Sequence, residues 1–235
     1  MPNQKKKMLT FSYDDGVKQD IRLIEMFDKY GLKATFNLNS QLTYRDNLVS
    51  DDEIARVYKN HEVASHTLAH KRLDKLESDE EIIYEVEQDR LNLEKLVGYK
   101  IFGMAYPYGN GAINDHVVDV VRNHTGIKYS RTTESSYGFE MQDDLLMFKP
   151  TIHHAEYDKL MELGRRFVEL ETDTPKLFYV WGHSYEFDFD DGIYWDKMEE
   201  FCKLVSGRSD IFYGTNSQVL LSKDKQFISD FSKNR

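Results

Sequence analysis

Strand-like and helix-like segments alternate along this chain from end to end, and few folds accommodate that rhythm. The runs KMLTFSY (7–13), ATFNLN (34–39), EVASH (62–66), IFGMAYP (101–107), IKYSRTT (127–133), LLMFKPTIH (145–153), LFYVWGH (177–183) and DIFYGT (210–215) are short and rich in β-branched or aromatic residues, and turn signals bound them. Between them lie amphipathic stretches: DIRLIEMFDKYG, SDEEIIYEVEQDRLNLEKLVG, HVVDVVRNH, YDKLMELGRRFVEL and YWDKMEEFCKLV. In the first, Ile21, Ile24 and Phe27 recur at helical spacing and Gly31 suits the stop. A β-then-α rhythm predicts a parallel sheet, and up to eight strands predict its closure into a barrel. No internal repeat, low-complexity segment or linker interrupts residues 1–235, which read as a single catalytic-type domain. Only ESSYGFEMQDD (134–144) reads as a polar loop insertion.

Composition excludes some partners. With 31 basic and 41 acidic residues the net charge is −10, which argues against a nucleic-acid or anionic-membrane surface. No apolar run approaches a membrane span, and the start, MPNQKKKML, has a basic cluster without an apolar stretch behind it. As it stands the chain reads as soluble and cytoplasmic, or secreted if a signal segment preceded it. The lone Cys202 excludes an internal disulfide and reads as a small buried residue on a helix. Oligomeric state is left open.

The polar residues collect at C-terminal strand ends, where side chains from distant strands of a barrel converge. Asp14 and Asp15 end the first run, His66 the third, Pro107 to Gly109 the fourth and His183 the seventh, with Arg131 near the end of the fifth. Adjacent carboxylates repel unless a cation holds them, so TFSYDDG is either a solvated turn or half of a site. SHTLAH spaces His66 and His70 four apart; if the segment turns helically, both imidazoles point the same way. Such pairs alone are usually solvated or capped. Together with a carboxylate they make a three-ligand set of the catalytic zinc type, with one position left for water. The second carboxylate is then explained by division of labour, one aspartate binding the cation and the other taking a proton from the attacking water. His183 in VWGHSYEF suits the proton donor, because its pKa lies close to working pH.

TFSYDDG, SHTLAH, AYPYG and VWGH, in this order, resemble the motifs of the polysaccharide deacetylases, carbohydrate esterase family four, also called the NodB-homology domain. The resemblance runs from about residue 8 to about residue 220. It implies a distorted (β/α) barrel of about seven strands, with Asp15, His66 and His70 binding a divalent metal, Asp14 as general base and His183 as general acid. The backbone N–H of Tyr108 would help stabilise the oxyanion. Zinc is the default ion, and cobalt, nickel and manganese suit similar ligands. Two departures stand out. Ala105 occupies the position where many members carry an arginine that restrains the base, and no Asp-Trp pair is present to support one. Arg131 in YSRTT is the expected substitute, reaching Asp14 from the next strand. The AYPYG variant also resembles a poorly defined branch, so chitin or peptidoglycan specificity does not follow.

Pro107, Trp181, Tyr185 and Trp195 are the expected substrate contacts, with Tyr194 nearby. Glu186 and Asp188 suit hydroxyl binding or loop solvation, His153 and His154 border the site, and His61, His116 and His124 read as structural. The function expected is metal-dependent removal of acetyl groups from an N- or O-acetylated carbohydrate. The alternatives are an amidohydrolase acting on a non-sugar amide and a non-catalytic carbohydrate-binding module.

Overall fold

Strand β1, Lys7–Asp14, is buried along its whole length, and the period-2 alternation of a strand sorts its side chains by role. In the computed structural model, which describes residues 5–42, 46–224 and 228, Leu9, Phe11 and Tyr13 join the apolar layer between the sheet and its helices. Phe11 meets Phe27 at 4.5 Å and Phe201 edge-on at 6.2 Å between ring centroids. The intervening residues Thr10, Ser12 and Asp14 are also buried but make polar contacts, with Asn216, Asn37 and Asn37 respectively. One strand therefore supplies core on one face and a polar interior on the other.

All the named strands pair in parallel. They are β1, β2 (Ala34–Leu38), β3 (Glu62–Ser65), β4 (Gly103–Ala105), β5 (Tyr129–Arg131), β6 (Ile152–His153), β7 (Lys176–Gly182) and β8 (Ile211–Tyr213), in the order β5-β4-β3-β2-β1-β7-β6. The eighth shares β1 with β2: it pairs with Lys7–Leu9, whereas β2 takes residues 11–14. Phe148 exchanges backbone hydrogen bonds with Ser130 and Thr132 on the β5 side, and the Thr151 N–H donates to Tyr179 O on β7. That segment links the two ends of the curled sheet, giving the expected distorted (β/α) barrel.

Helices α1 (Gln19–Lys29), α3 (Asp79–Val97), α4 (Asp115–His124), α5 (Tyr157–Glu169) and α6 (Ile193–Val205) fall where the amphipathic pattern predicts them. The longest, α3, has its stop and start written locally: Ser78 accepts the Glu81 N–H, Asp79 to Glu81 face the positive end of the dipole, and Gly98 closes it at φ +78°. Cys202 is fully buried on α6, as expected.

Two short helices, α2 (Asp51–Val57) and α7 (Asn216–Leu220), are absent from the sequence reading, being too short to show periodicity. The predicted strand 145–153 is corrected to two residues. Residues 145–147 form a 3-10 turn capped by Asp144, and Pro150 has no N–H to give a ladder. At the N-terminal end of the barrel, buried Glu62 accepts from Thr35, Tyr129 and the backbone and side chain of Ser217, which seats α7 there. Among the described residues no helix is long and apolar enough to cross a membrane.

Candidate metal centre and catalytic residues

A regular strand would send Asp14 and Asp15 to opposite faces. The backbone of Asp15 is left-handed, φ +81°, and its N–H donates to Asn37 O at 3.0 Å. This turn brings both carboxylates to the same imidazole: His66 Nε2 lies 3.9 Å from Asp14 Oδ2 and 3.9 Å from Asp15 Oδ1. Gly16 follows at φ +65°, and a Cβ there would meet Leu38 Cδ2 at 2.8 Å, so the turn has no room for a side chain. The two acids then differ in surroundings. Asp14 accepts from the Arg131 guanidinium on Oδ2 and from Asn37 Nδ2 at 2.8 Å on Oδ1, whereas Asp15 Oδ1 faces His70 Nε2 at 3.6 Å.

Arg131 does reach Asp14, as expected from the loss of an arginine at Ala105. It is 1% exposed, donates also to Thr132 O, and stacks on Trp181 with 4.2 Å between guanidinium and ring centroid. Burial raises the Asp14 pKa, but the charges of Arg131, His66 and His183 together with the Arg131 hydrogen bond outweigh it, and the carboxyl is held below its ordinary value. Ala105 keeps a part in the site through its backbone, because its carbonyl accepts from His66 Nδ1 at 2.8 Å. A carbonyl only accepts, so Nδ1 carries the proton and Nε2 is left with a free lone pair for a cation.

The helical turn expected for SHTLAH is not formed. Residues 66–70 are irregular, with Thr67 at φ +66° and His70 at φ +54°. The two imidazoles meet nonetheless, edge to face at 4.8 Å, and the His70 ring meets the exposed ring of Tyr108 at 4.7 Å. Tyr108 is itself left-handed, φ +59°, at the end of the β4 segment, and Pro107 beside it is buried.

Among the described residues, two groups of His, Asp and Glu side chains bring their ligand atoms within 4.8 Å of one another: Asp15, His66 and His70, and His153, His183 and Glu186. The first fits a divalent cation, since it offers an imidazole of fixed tautomer, a second imidazole and a carboxylate. The second does not. His153 Nδ1 accepts the Ala155 N–H at 3.1 Å, which puts the ring proton on Nε2, 3.3 Å from Glu186 Oε2. That nitrogen donates to the carboxylate and has no lone pair for a metal.

Glu186 is the hub of this second group. It takes His154 Nε2 at 3.0 Å and the His183 N–H at 3.0 Å, and its Oε1 lies 3.3 Å from His183 Nδ1, an ion-pair distance without good hydrogen-bond alignment. Burial raises the Glu186 pKa, but the three histidines close around the carboxylate drive it far below the carboxylate range. Burial pushes His154 down to about 4, so it is neutral and bridges Glu186 to the Tyr13 hydroxyl at 3.1 Å. His183 is affected the other way: burial lowers its pKa, but Glu186, Asp14 and Asp15 raise it above the ordinary value.

The expected substrate contacts divide. Tyr185 is half-buried with its ring 5.1 Å from that of His183. Trp181 is buried and one face is taken by Arg131. Trp195 is corrected: it is 2% exposed, lies between Arg22 and Phe187, and donates from Nε1 to Asp188 Oδ1 at 2.8 Å, so it belongs to the core and presents no face to a ligand. The reading of His61 as structural holds, with Nδ1 accepting the Ala34 N–H at 3.1 Å. Asn37 was missed, although it too is a polar residue near the C-terminal end of a buried strand. Glu186 was seen but given no histidine partners, because nothing in VWGHSYEF reports the approach of β6.

One end of the curled parallel sheet thus carries two differently held carboxylates and three histidines, on a barrel of the (β/α) class. The sequence profile of the polysaccharide deacetylases matches residues 2–129, more than half of the chain, and the protein belongs to that family. A Streptococcus pyogenes deacetylase in complex with acetate has a similar fold, with TM-score 0.53 and 21% identity over 59% of this chain; the match spans only 61% of that protein. A point mutant of a peptidoglycan deacetylase of Bacillus subtilis matches over 100% of this chain and 98% of its own, with TM-score 0.58 and 20% identity. A pseudoenzyme of the same esterase family from Bacillus anthracis gives TM-score 0.55 and 18% identity over 94% of this chain and 66% of that one. At these identities the likenesses establish the fold. No curated protein matches the sequence.

Proposed function

We propose that this protein is a divalent-metal-dependent deacetylase that hydrolyses the acetyl group of an N-acetylated or O-acetylated carbohydrate. The observation that carries the reading is the asymmetry of the aspartate pair. Both carboxylates reach His66 Nε2, yet Asp14 is held by Arg131 and Asn37 while Asp15 faces His70. Asp15, His66 and His70 hold the cation; zinc is the default, and cobalt, nickel or manganese suit the same donors. Bound there, a divalent cation acidifies water and polarises the acyl oxygen.

Asp14 takes the proton of the attacking water as the water oxygen adds to the acetyl carbon. Its two anchors keep the carboxylate in one orientation and ionised, ready to accept. The peptide N–H of Tyr108 supports the charge that develops on the acyl oxygen. The carbon–nitrogen or carbon–oxygen bond then breaks, and His183 transfers a proton to the departing atom, leaving acetate and a free amine or alcohol. Tyr185 borders the sugar. The net charge of −10 argues against a nucleic-acid partner and favours a neutral or cationic substrate.

Acetate and free-amine release from acetylated chito-oligosaccharides, with and without a chelator, tests the activity. Metal analysis of variants tests the roles. Asp15→Asn, His66→Ala and His70→Ala are expected to lose both metal and activity, and Asp14→Asn to keep nearly all its metal and lose activity. Equal loss of metal from Asp14→Asn and Asp15→Asn would sink the division of roles.

A further inference from the structure

Both imidazoles of the candidate metal set come from a segment without regular structure, and two of its residues have left-handed backbones that cost a non-glycine residue free energy. The segment is nevertheless tied through the backbone N–H groups of His66 to Ala69. The His66 N–H donates to Leu38 O and to Asp89 Oδ2, the Thr67 N–H to Ser65 Oγ, the Leu68 N–H to Glu85 O, and the Ala69 N–H to Glu85 Oε2 at 3.1 Å. On the carbonyl side Asn39 Nδ2 donates to His66 O and Thr67 O, and the Gln41 N–H donates to Leu68 O. Two residues of α3 carry much of this. Asp89, fully buried, also accepts from Ser65 Oγ at 2.5 Å and from the Ser40 N–H at 2.7 Å, so it joins the β2 and β3 ends. Glu85, 2% exposed, sits one turn earlier on the same helix face and pairs with Lys71 at 2.8 Å on its other oxygen.

Two carboxylates buried on one helix face are a poor way to stabilise a fold, since well-packed apolar residues serve as well or better. Their bonds go to the loop that presents the ligands. We propose that Glu85 and Asp89 are positioning residues that hold His66 and His70 in ligand geometry before a cation arrives, and so set the affinity of the metal centre. The inference rests on the metal reading given above.

Three measurements on the full chain decide it. Zinc affinity, from competition with a chromophoric chelator, is expected to fall roughly 10- to 100-fold in Asp89→Asn and in Glu85→Ala, the usual effect of removing groups that orient ligands. Glu85→Gln keeps an acceptor for the Ala69 N–H and is expected to regain most of the affinity. The absorption spectrum of the cobalt-loaded protein should change in Asp89→Asn and Glu85→Ala and return in Glu85→Gln. In the metal-free wild type, the amides of residues 66–69 should exchange slowly with solvent. Variants that melt at lower temperature yet keep wild-type zinc affinity and cobalt spectrum would reduce the pair to a fold element. Fast exchange at these amides in the metal-free wild type would likewise overturn preorganisation. If the wild type takes up no zinc, cobalt, nickel or manganese in stoichiometric amount, the functional reading fails and this inference with it; tight wild-type binding with indifferent variants fails the inference alone.

Discussion

Arg131 shows how one side chain holds a buried carboxyl, the proposed general base Asp14, below its ordinary pKa. Removing it leaves Asp14 buried without its nearest cation, and the carboxyl pKa rises. In Arg131→Ala the acid limb of the kcat/KM profile is therefore expected to move to higher pH and kcat to fall on the order of 100-fold, the scale of a misplaced catalytic group. Metal content should stay near wild type. Glu186 acts on the other limb. Its charge raises the His183 pKa, so Glu186→Gln should lower that pKa and move the basic limb to lower pH. A pH-rate profile with both limbs unmoved in these two variants would dissociate the geometry from the chemistry. His61 offers a stability test away from the metal set. Burial lowers its pKa from 6.5 to about 4, so it contributes stability above pH 6.5 that is lost as pH falls toward 4. His61→Asn keeps an acceptor for the Ala34 N–H. The stability difference from wild type should be largest at pH 7 and shrink by up to roughly 3 kcal/mol toward pH 4, at about 1.4 kcal/mol per pKa unit. The raised carboxyls of Asp20 and Asp89, at about 7 and about 6, are common to both proteins and cancel in the comparison. A difference that stays constant from pH 7 to 5 would contradict the sign.

At the scale of elements, β3 connects two polar systems that do separate work. Its first residue, Glu62, anchors α7 at one end of the barrel, and the residue after its last, His66, is a candidate ligand at the other. The four-residue separation amounts to about 13 Å of extended chain. Glu62→Leu leaves the Tyr129, Thr35 and Ser217 donors without their acceptor in a buried site. The expected loss is about 3–5 kcal/mol, read as a lower denaturation midpoint, with metal content per folded molecule unchanged. Loss of metal from a folded Glu62→Leu protein would show that the two ends are coupled. The alternation along β1 explains how the strand serves both: Leu9, Phe11 and Tyr13 fill the helix-facing core, and Thr10, Ser12 and Asp14 make the polar contacts of its other face.

For the molecule as a whole, a cation held by Asp15, His66 and His70, as proposed, would tie the end of β1 to the loop after β3 and would bind only the folded chain. Zinc at a hundred times its dissociation constant would stabilise by about 2.7 kcal/mol, or roughly 5–10 °C in Tm for a domain of this size. Wild type and Asp14→Asn should both lose that increment on chelation, whereas Asp15→Asn should melt at the same temperature with and without zinc. Differential scanning calorimetry distinguishes the cases, and a chelator-independent Tm in the wild type would remove the structural part of the metal assignment.

The barrel and the position of its polar residues were legible because they rest on local quantities. Strand composition, helical periodicity and strand-end punctuation placed all five long helices and put Asp14, Asp15, His66 and His183 at the correct end of the sheet. The need for a cation near Asp14 was legible too, from the alanine at position 105, and Arg131 answers it. What the sequence did not carry is the angular placement of these groups. The left-handed turns at Asp15, Thr67 and His70 are paid for by contacts from Asn37, Asn39, Glu85 and Asp89, which lie on other elements. The same holds for Trp195, whose aromatic ring suits a sugar face as well as a core until α6 packs against the barrel and closes over it. Side-chain identity and spacing determine which chemistry is available; long-range hydrogen bonds and packing decide which atoms meet, because they join residues whose separation along the chain says nothing about their distance in space.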